Sequence, residues 1–139
     1  MVGPHLSTIP ATPLAIGTMR SYGLGLTIYG LVVFGQGARR WSGPLYSTAV
    51  SVAPPWVWGL TFATFGLAVL VGSLTYRFRL RNVGLYGSAV LYLYFGVTTE
   101  QTALHLPTVS YAAGIVYFMV AAAMCWVAPA REVRRAPRS

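Results

Sequence analysis

The residues best suited to chemistry in this chain are concentrated in the segment TTEQTALH, at positions 98–105. It contains Glu100, the only acidic residue near an apolar stretch, and His105, whose imidazole exchanges protons readily near neutral pH. A carboxylate within a membrane is costly when it faces lipid, so Glu100 should face protein, water or a polar cavity. Either Glu100 and His105 form a proton or cation site, or the segment is an outer loop in contact with water. Its position beside Pro107, at the end of a predicted helix, favours the loop.

Enzymatic chemistry is not predicted. The chain has two acidic residues and two histidines in total, too few to build acid–base catalysis. It contains no GxSxG sequence, no phosphate-binding glycine loop and no histidine-rich metal spacing. Its one cysteine, Cys125, lies in an apolar stretch and is interpreted as a small apolar helix residue. We therefore expect no catalytic residue, no cofactor and no metal site.

The composition favours a membrane protein. Only 9% of the residues are charged and 55% are hydrophobic, and the mean hydropathy is +0.60. A soluble domain of 139 residues keeps a large share of its atoms in contact with water and cannot hide so much apolar surface. Lipid is therefore expected to replace water over much of this surface.

Four apolar stretches, each long enough to cross a hydrocarbon core, predict four transmembrane helices. The second stretch runs for 21 residues without a charge and follows two prolines, which are well tolerated just ahead of a first helical turn. Only five residues separate it from the third, so these two helices should form an antiparallel hairpin. The predicted helices cover about residues 21–38, 56–76, 82–99 and 108–128.

The rest of the chain is assigned to two tails and a connector. Residues 1–20 contain three prolines, a poor start for a helix, and are predicted as an N-terminal tail. Residues 39–55 connect the first two helices, and their central part, 44–53, is predicted as a short helix in the membrane interface. Residues 129–139 form a basic C-terminal tail. The predicted fold is all-α: an integral membrane four-helix bundle with a short interfacial connector between helices 1 and 2.

Arginine sets the predicted orientation. All ten basic residues are arginines outside the apolar stretches or at their edges, which suits contact with anionic headgroups. Nucleic-acid binding would need a basic stripe on a soluble face and is not expected. The N-terminal tail, the middle loop and the C-terminal tail hold eight arginines, against two in the first loop, so both termini should lie in the cytoplasm. The predicted membrane-edge anchors are Arg39, Arg40, Trp41, Trp56, Trp58, Arg77, Arg79, Arg81, Arg131, Arg134 and Arg135.

Small residues recur four positions apart on the second and third predicted helices, which places each set on one helix face. In lipid, such faces let helix backbones approach closely. The pattern predicts packing among the four helices of one chain, and association between copies of the chain is the alternative. The predicted packing residues are Gly59, Ala63, Thr64, Ala68, Gly72, Gly84 and Ser88.

Four features of the chain carry a resemblance to a known group of membrane proteins. They are GARRW after the first span, PPWVWG at the start of the second, lysine-free arginine edges and the tail REVRRAPRS. With them the chain resembles the small multi-span membrane proteins of actinobacterial phages and prophages, often identified as holins. The resemblance implies a protein that self-assembles in the cytoplasmic membrane and permeabilises it. Two alternatives remain open: a non-catalytic adaptor, accessory subunit or phage exclusion factor that binds a larger membrane protein, and a small proton or cation channel that uses Glu100.

Overall fold

The computed structural model describes residues 13–41, 43–106 and 112–127, and every regular element in these ranges is helical. The all-α prediction is thereby confirmed. A 3₁₀ turn, Pro44–Tyr46, precedes the shortest α-helix. The α-helices are α1, Pro13–Arg40; α2, Ser47–Val52; α3, Pro55–Leu74; α4, Phe78–His105; and α5, Ala112–Val127.

The first helix begins earlier than predicted. α1 starts at Pro13, so the prediction of a non-helical tail is wrong for residues 13–20. Proline is tolerated at the first position of a helix because the N–H group it lacks would have no partner there. Pro13, which was predicted to disfavour a helix, thus lies at the first helical position, where proline is tolerated.

α4, which corresponds to the third predicted helix, ends later than predicted. α4 continues to His105, so the prediction of an outer loop is wrong for residues 100–105. Threonine side chains in this region bond to the helix itself: the Thr102 hydroxyl donates to the Thr98 carbonyl at 2.8 Å. Such bonds satisfy the hydroxyl within the helix, so a threonine-rich sequence remains helical when its neighbours bury it.

The four long helices run antiparallel to their neighbours in sequence. Gly23 of α1 lies beside Leu70, near the end of α3, whereas Gly30 lies beside Ala63. The α3–α4 and α4–α5 pairs follow the same rule. Gly84, early in α4, faces Val69 of α3, while Phe95, later in α4, contacts Trp58, early in α3. Gly96 faces Phe118 of α5, and Gly114 of α5 faces Glu100.

α1 and α3 are in contact through their backbones. A Cβ atom added to Gly23 would lie 2.8 Å from the Leu70 nitrogen, and one added to Gly66 would lie 2.9 Å from the Gly23 oxygen. Gly30 and Gly59 meet in the same way one heptad further along. Glycine is therefore required on both helices, and its spacing of seven matches the period at which two supercoiled helices return to each other.

The connector between α1 and α3 packs against an aromatic core. Gly37 interrupts the helical geometry of α1 with φ 36° and ψ −118°, and Trp41 follows, only 3% exposed. The Trp41 ring stacks on Tyr46 at 5.0 Å and meets Phe95 edge-on at 5.3 Å. Trp58 donates from Nε1 to the carbonyl of Ala49, at 3.1 Å, and to that of Ala53, at 3.0 Å. The short connector helix predicted over 44–53 is present as the 3₁₀ turn and α2.

Candidate functional site

The outward face of the long helices is apolar. On α4, large apolar side chains with more than two fifths of their surface exposed recur every three or four residues. A helix at a water interface carries polar residues on this face. α1, α3 and α5 also expose large apolar side chains, and together these residues form what we call the outer apolar surface: Leu24, Ile28, Leu31, Phe34, Leu60, Leu67, Leu74, Val83, Tyr86, Val90, Leu93, Val97, Ile115, Val116 and Met119.

Small and polar residues lie inside. Ser88 is fully buried and donates its hydroxyl to the Gly84 carbonyl at 2.9 Å. Thr98, Thr99 and Thr102 are buried where α4 ends. In an apolar solvent, small-residue contacts and internal hydrogen bonds of this kind hold helices together.

Length and apolar character coincide in one helix of the described part of the chain. α3, with 20 residues and a mean hydropathy of 1.8 over its best window, is long and apolar enough to cross a membrane. α1 and α4 are longer, at 28 residues each, but their mean hydropathy is lowered by glycine, threonine and arginine. The apolar part of α5, Ala112–Cys125, is shorter than a full span.

Six of the seven predicted packing residues lie wholly or partly inside the molecule. Gly59 and Ala63 are buried at the contact with α1, Gly72 and Gly84 face the partner helix of the α3–α4 hairpin, Ser88 is buried, and Ala68 is half-buried.

Thr64, predicted on one face with Ala68 and Gly72, is the one packing residue that lies outside. It is exposed, and its hydroxyl donates to the Leu60 carbonyl of its own helix at 2.8 Å. The inner face of α3 follows the spacing of seven from Gly59 to Gly66, which turns Thr64 outward. That spacing also connects Gly23 with Gly30 on α1, and it is the sequence signal by which the missed glycines could have been found.

Glu100 faces protein. The residue is half-buried, and its side chain lies in a notch left by Gly114: a Cβ atom there would meet Oε1 and would approach Cγ within 2.8 Å. Oε1 is excluded from solvent and has no hydrogen-bond partner. The interpretation of Glu100 as a loop residue in contact with water is therefore wrong, because α4 continues and presents the side chain to α5.

His105 lies apart from Glu100. It is exposed and lines a cavity of about 420 Å³ between α2 and the end of α4. On the wall of this cavity the hydroxyls of Thr48 and Thr102 are 3.2 Å apart and share a hydrogen bond. Glu100 is not among the residues that line it. Five positions rotate a helix by about 500°, which is one full turn plus about 140°. Glu100 and His105 therefore lie on different sides of α4 and meet different neighbours.

The mutation Glu100→Gln separates a structural role from a functional one. The amide has nearly the shape of the carboxyl group and is cheaper to place against Gly114 without a partner. We expect unchanged or slightly higher stability, by up to about 1 kcal/mol, and full retention of any membrane activity. Thermal unfolding in detergent and a cell depolarisation assay measure the two effects, with Gln101→Glu at the exposed neighbouring position as control. Loss of activity in a normally folded Glu100→Gln protein would instead assign Glu100 to an ion or proton path.

The predicted membrane-edge anchors divide into exposed and buried residues. Arg39, Arg77 and Arg79 are exposed, Trp56 is 52% exposed and Trp58 is half-buried. Trp41 and Arg81 correct the prediction, since they are only 3% and 2% exposed. Trp41 is held by aromatic neighbours, and the Arg81 guanidinium lies 5.1 Å from the centre of the Phe78 ring. Arg40 is the last residue of α1, and Arg131, Arg134 and Arg135 lie outside the described residues.

The polar groups of the described segments do not converge on a reaction centre. Glu100, His105 and the arginines occupy separate positions, and no group of three or more His, Cys, Asp or Glu side chains is placed to hold a metal ion in the part of the chain that the structure describes. What the arrangement offers is an apolar outer surface, close glycine contacts and charged ends. No family model, curated protein sequence or solved structure matches the chain.

Proposed function

We propose that the chain is a multi-pass protein of the cytoplasmic membrane, a four-helix bundle in which α1, α3, α4 and α5 cross the bilayer. The observation that carries this proposal is the outer apolar surface on all four long helices, together with the buried hydroxyls of Ser88, Thr98, Thr99 and Thr102. At 1.5 Å per residue, α1 and α4 are about 42 Å long and α3 about 30 Å, the thickness of a hydrocarbon core. The described part of α5 has 16 residues, within the predicted span 108–128.

The charged ends support an orientation with both termini in the cytoplasm. Arg20 lies beside Ser73, at the end of α3, and Arg77 and Arg79 follow in the turn and at the start of α4. The antiparallel helices thus bring arginines from separate parts of the sequence to one end. Arg39 lies at the opposite end, after the kink in α1. The end richer in arginine is assigned to the cytoplasm, where anionic leaflets and the positive-inside rule favour it.

Within that membrane, the chain acts as a holin-like protein whose copies assemble and permeabilise the bilayer. α1 has a small-residue face that the described part of the chain leaves uncovered, the outer glycine face: Gly17, Ser21 and Gly25 are all exposed. A Cβ atom at Gly17 or Gly25 would meet nothing within 4 Å. On its other side, α1 already uses glycine to contact α3. The uncovered face offers a second α1 the same close approach, in a solvent where backbone proximity drives association.

The interior of one chain supports assembly as the route to permeability. Phe62 and Phe95 stack at 5.5 Å, and Trp41 packs edge-on against Phe95. These rings pack between α3, α4 and the connector and fill that part of the described interior. We expect a conducting opening to form between copies, and its appearance would depend steeply on the amount of protein in the membrane.

Controlled expression with a membrane-potential dye tests this function. A permeabiliser is expected to leave the potential intact at low levels and to collapse it abruptly once its concentration passes a threshold, because assembly depends on a high power of subunit concentration. The measurement is dye fluorescence against protein level in single cells, with an unrelated four-span protein as control. Sustained high expression without depolarisation, together with a partner co-purifying at fixed stoichiometry in mild detergent, would reject the holin-like function and favour the adaptor.

The second candidate, a small proton or cation channel, is favoured by one observation. Glu100 Oε1 is buried against α5 without a hydrogen-bond partner, and isolated carboxyl groups at membrane depth often belong to ion paths. A channel would depolarise cells in proportion to expression, without a threshold. It would also lose activity with Glu100→Gln, which the assembled pore would not.

A further inference from the structure

We propose that Arg20 and Ser73, next to Arg81, form a binding site for the phosphate group of an anionic phospholipid. The site lies where α1 begins, α3 ends and α4 begins. This inference rests on the proposed membrane location, and it adds a defined ligand to a region for which the sequence predicted only general contact with headgroups.

Close packing brings these residues together. Nη2 of Arg20 lies 3.4 Å from the Ser73 carbonyl oxygen, across 53 positions of sequence. The preceding residue, Gly72, lies against the backbone of Arg81: a Cβ atom there would lie 2.7 Å from the Arg81 Cα atom. Residues 72–73 are therefore flanked by Arg20 on one side and Arg81 on the other.

The site contains hydrogen-bonding capacity that the described chain leaves unused. Arg20 Nε and Ser73 Oγ are both excluded from solvent and lack a hydrogen-bond partner, and Ser73 as a whole is 0% exposed. Buried polar groups are nearly always satisfied in folded proteins, and each one left unsatisfied costs about 1–3 kcal/mol. Two such donors on adjacent side chains point to a ligand that accepts hydrogen bonds.

The charge of the site selects an anion. Arg81 is 2% exposed and its Cα and Cβ atoms lie beside Gly72, so a second arginine is buried next to Ser73. Arg77 adds an exposed positive charge at the same end. The one carboxylate of the described residues, Glu100, is 19 positions from Arg81 on α4, about 28 Å away along the helix. The potential at the site is therefore positive, and an anionic ligand would lower the cost of burying these charges.

Phosphate matches the donors best. Arginine binds phosphate through two parallel N–H groups on one edge of its planar guanidinium, a geometry that lysine cannot reproduce. In Arg20, Nε is unpartnered and Nη2 makes only the long 3.4 Å contact, so both retain capacity for an oxygen ligand. The Ser73 hydroxyl supplies a third donor. A site at the end of a membrane helix bundle lies at headgroup depth, where phospholipid phosphates are the most abundant anions.

Lipid-dependent thermal stability of the full chain in detergent tests the site. Phosphatidylglycerol is expected to raise the melting temperature, whereas phosphatidylcholine and inorganic phosphate at equal concentration are not. Arg20→Gln should weaken phosphatidylglycerol binding about tenfold or more, the effect of losing a charge-assisted hydrogen-bond pair. Arg20→Lys should restore only part of it. Arg79→Gln removes the same charge from an exposed position at the same end and should bind lipid like the original protein.

Ser73→Ala keeps the proposal testable if Arg20 variants fold poorly. Removing an unsatisfied buried hydroxyl should stabilise the lipid-free protein, yet lower its affinity for phosphatidylglycerol a few fold. Equal losses in Arg20→Gln and Arg79→Gln would overturn the site in favour of diffuse attraction. Stabilisation by inorganic phosphate alone would overturn the lipid assignment. Carbonate extraction separates these results from the proposed function: a protein that resists extraction but shows no lipid preference rejects the site alone.

Discussion

Gly30→Leu is expected to separate α1 from α3 and to unfold much of the helical structure. A side chain at Gly30 would meet the Ala63 nitrogen and would lie 2.6 Å from the Gly59 carbonyl oxygen. Both obstacles are backbone atoms, so no rotamer change can relieve the overlap and the two helices must move apart. Overpacking costs about 1–3 kcal/mol where side chains can yield, and we expect the upper end of that range or more here. Thermal unfolding in detergent measures the loss.

Gly35→Leu is the matched control on the same helix. Gly35 is exposed, and a Cβ atom there would meet nothing within 4 Å. The two variants make the same change in side chain and in helix propensity, so a difference between them reports the contact with α3. The melting temperature should fall steeply for Gly30→Leu and stay near the original value for Gly35→Leu. Equal melting temperatures would mean that α1 and α3 do not meet through Gly30.

Long apolar stretches were sufficient to predict the helices themselves, and the bounds were most accurate where prolines and arginine flank the stretch. The predicted span 56–76 coincides closely with α3, Pro55–Leu74, because prolines precede this stretch and Arg77 follows it. The ends of α1 and α4 could not be predicted in this way. Whether residues 100–105 continue a helix depends on neighbouring elements that bury Thr102 and Ala103, which the local sequence does not show.

Contacts between helices were predicted less well than the helices. A spacing of four between small residues predicted Gly59 and Gly84 as packing residues. The α1–α3 interface instead repeats every seven positions, from Gly23 to Gly30 and from Gly59 to Gly66. A spacing of four brings residues onto one face over a short distance, whereas only a spacing near 3.5 per turn keeps two long helices in contact. Thr64 was included in the wrong set for that reason.

The burial of individual side chains was the property hardest to predict from the sequence. Tryptophan and arginine beside an apolar stretch suit a membrane interface, yet Trp41 and Arg81 are almost fully buried. Trp41 reaches the core because Gly37 adopts a positive φ, which ends the regular geometry of α1. The position of Arg81 depends on the absence of a side chain at Gly72. Both placements depend on a glycine at another position. The local pattern of charge or hydropathy around Trp41 and Arg81 therefore does not predict them.

Gly25→Leu is expected to raise the expression level at which cells depolarise, or to abolish depolarisation. Gly25 is exposed at the outer glycine face, and a Cβ atom there would meet nothing within 4 Å among the described residues, so leucine there should leave the helices of one copy folded while holding a second α1 away. A loss of about 1–2 kcal/mol at each contact weakens pairwise association about five- to thirtyfold.

Thr64→Leu is the matched control for assembly, since it places the same side chain on an exposed position of α3. Both variants should melt near the original protein in detergent, whereas only Gly25→Leu should move the threshold seen with the membrane-potential dye. A threshold that both variants shift equally would indicate a general response to added bulk, and the outer glycine face would then have no part in assembly. An unchanged threshold in Gly25→Leu would place the contact between copies elsewhere, because a leucine cannot be accommodated where two helix backbones touch.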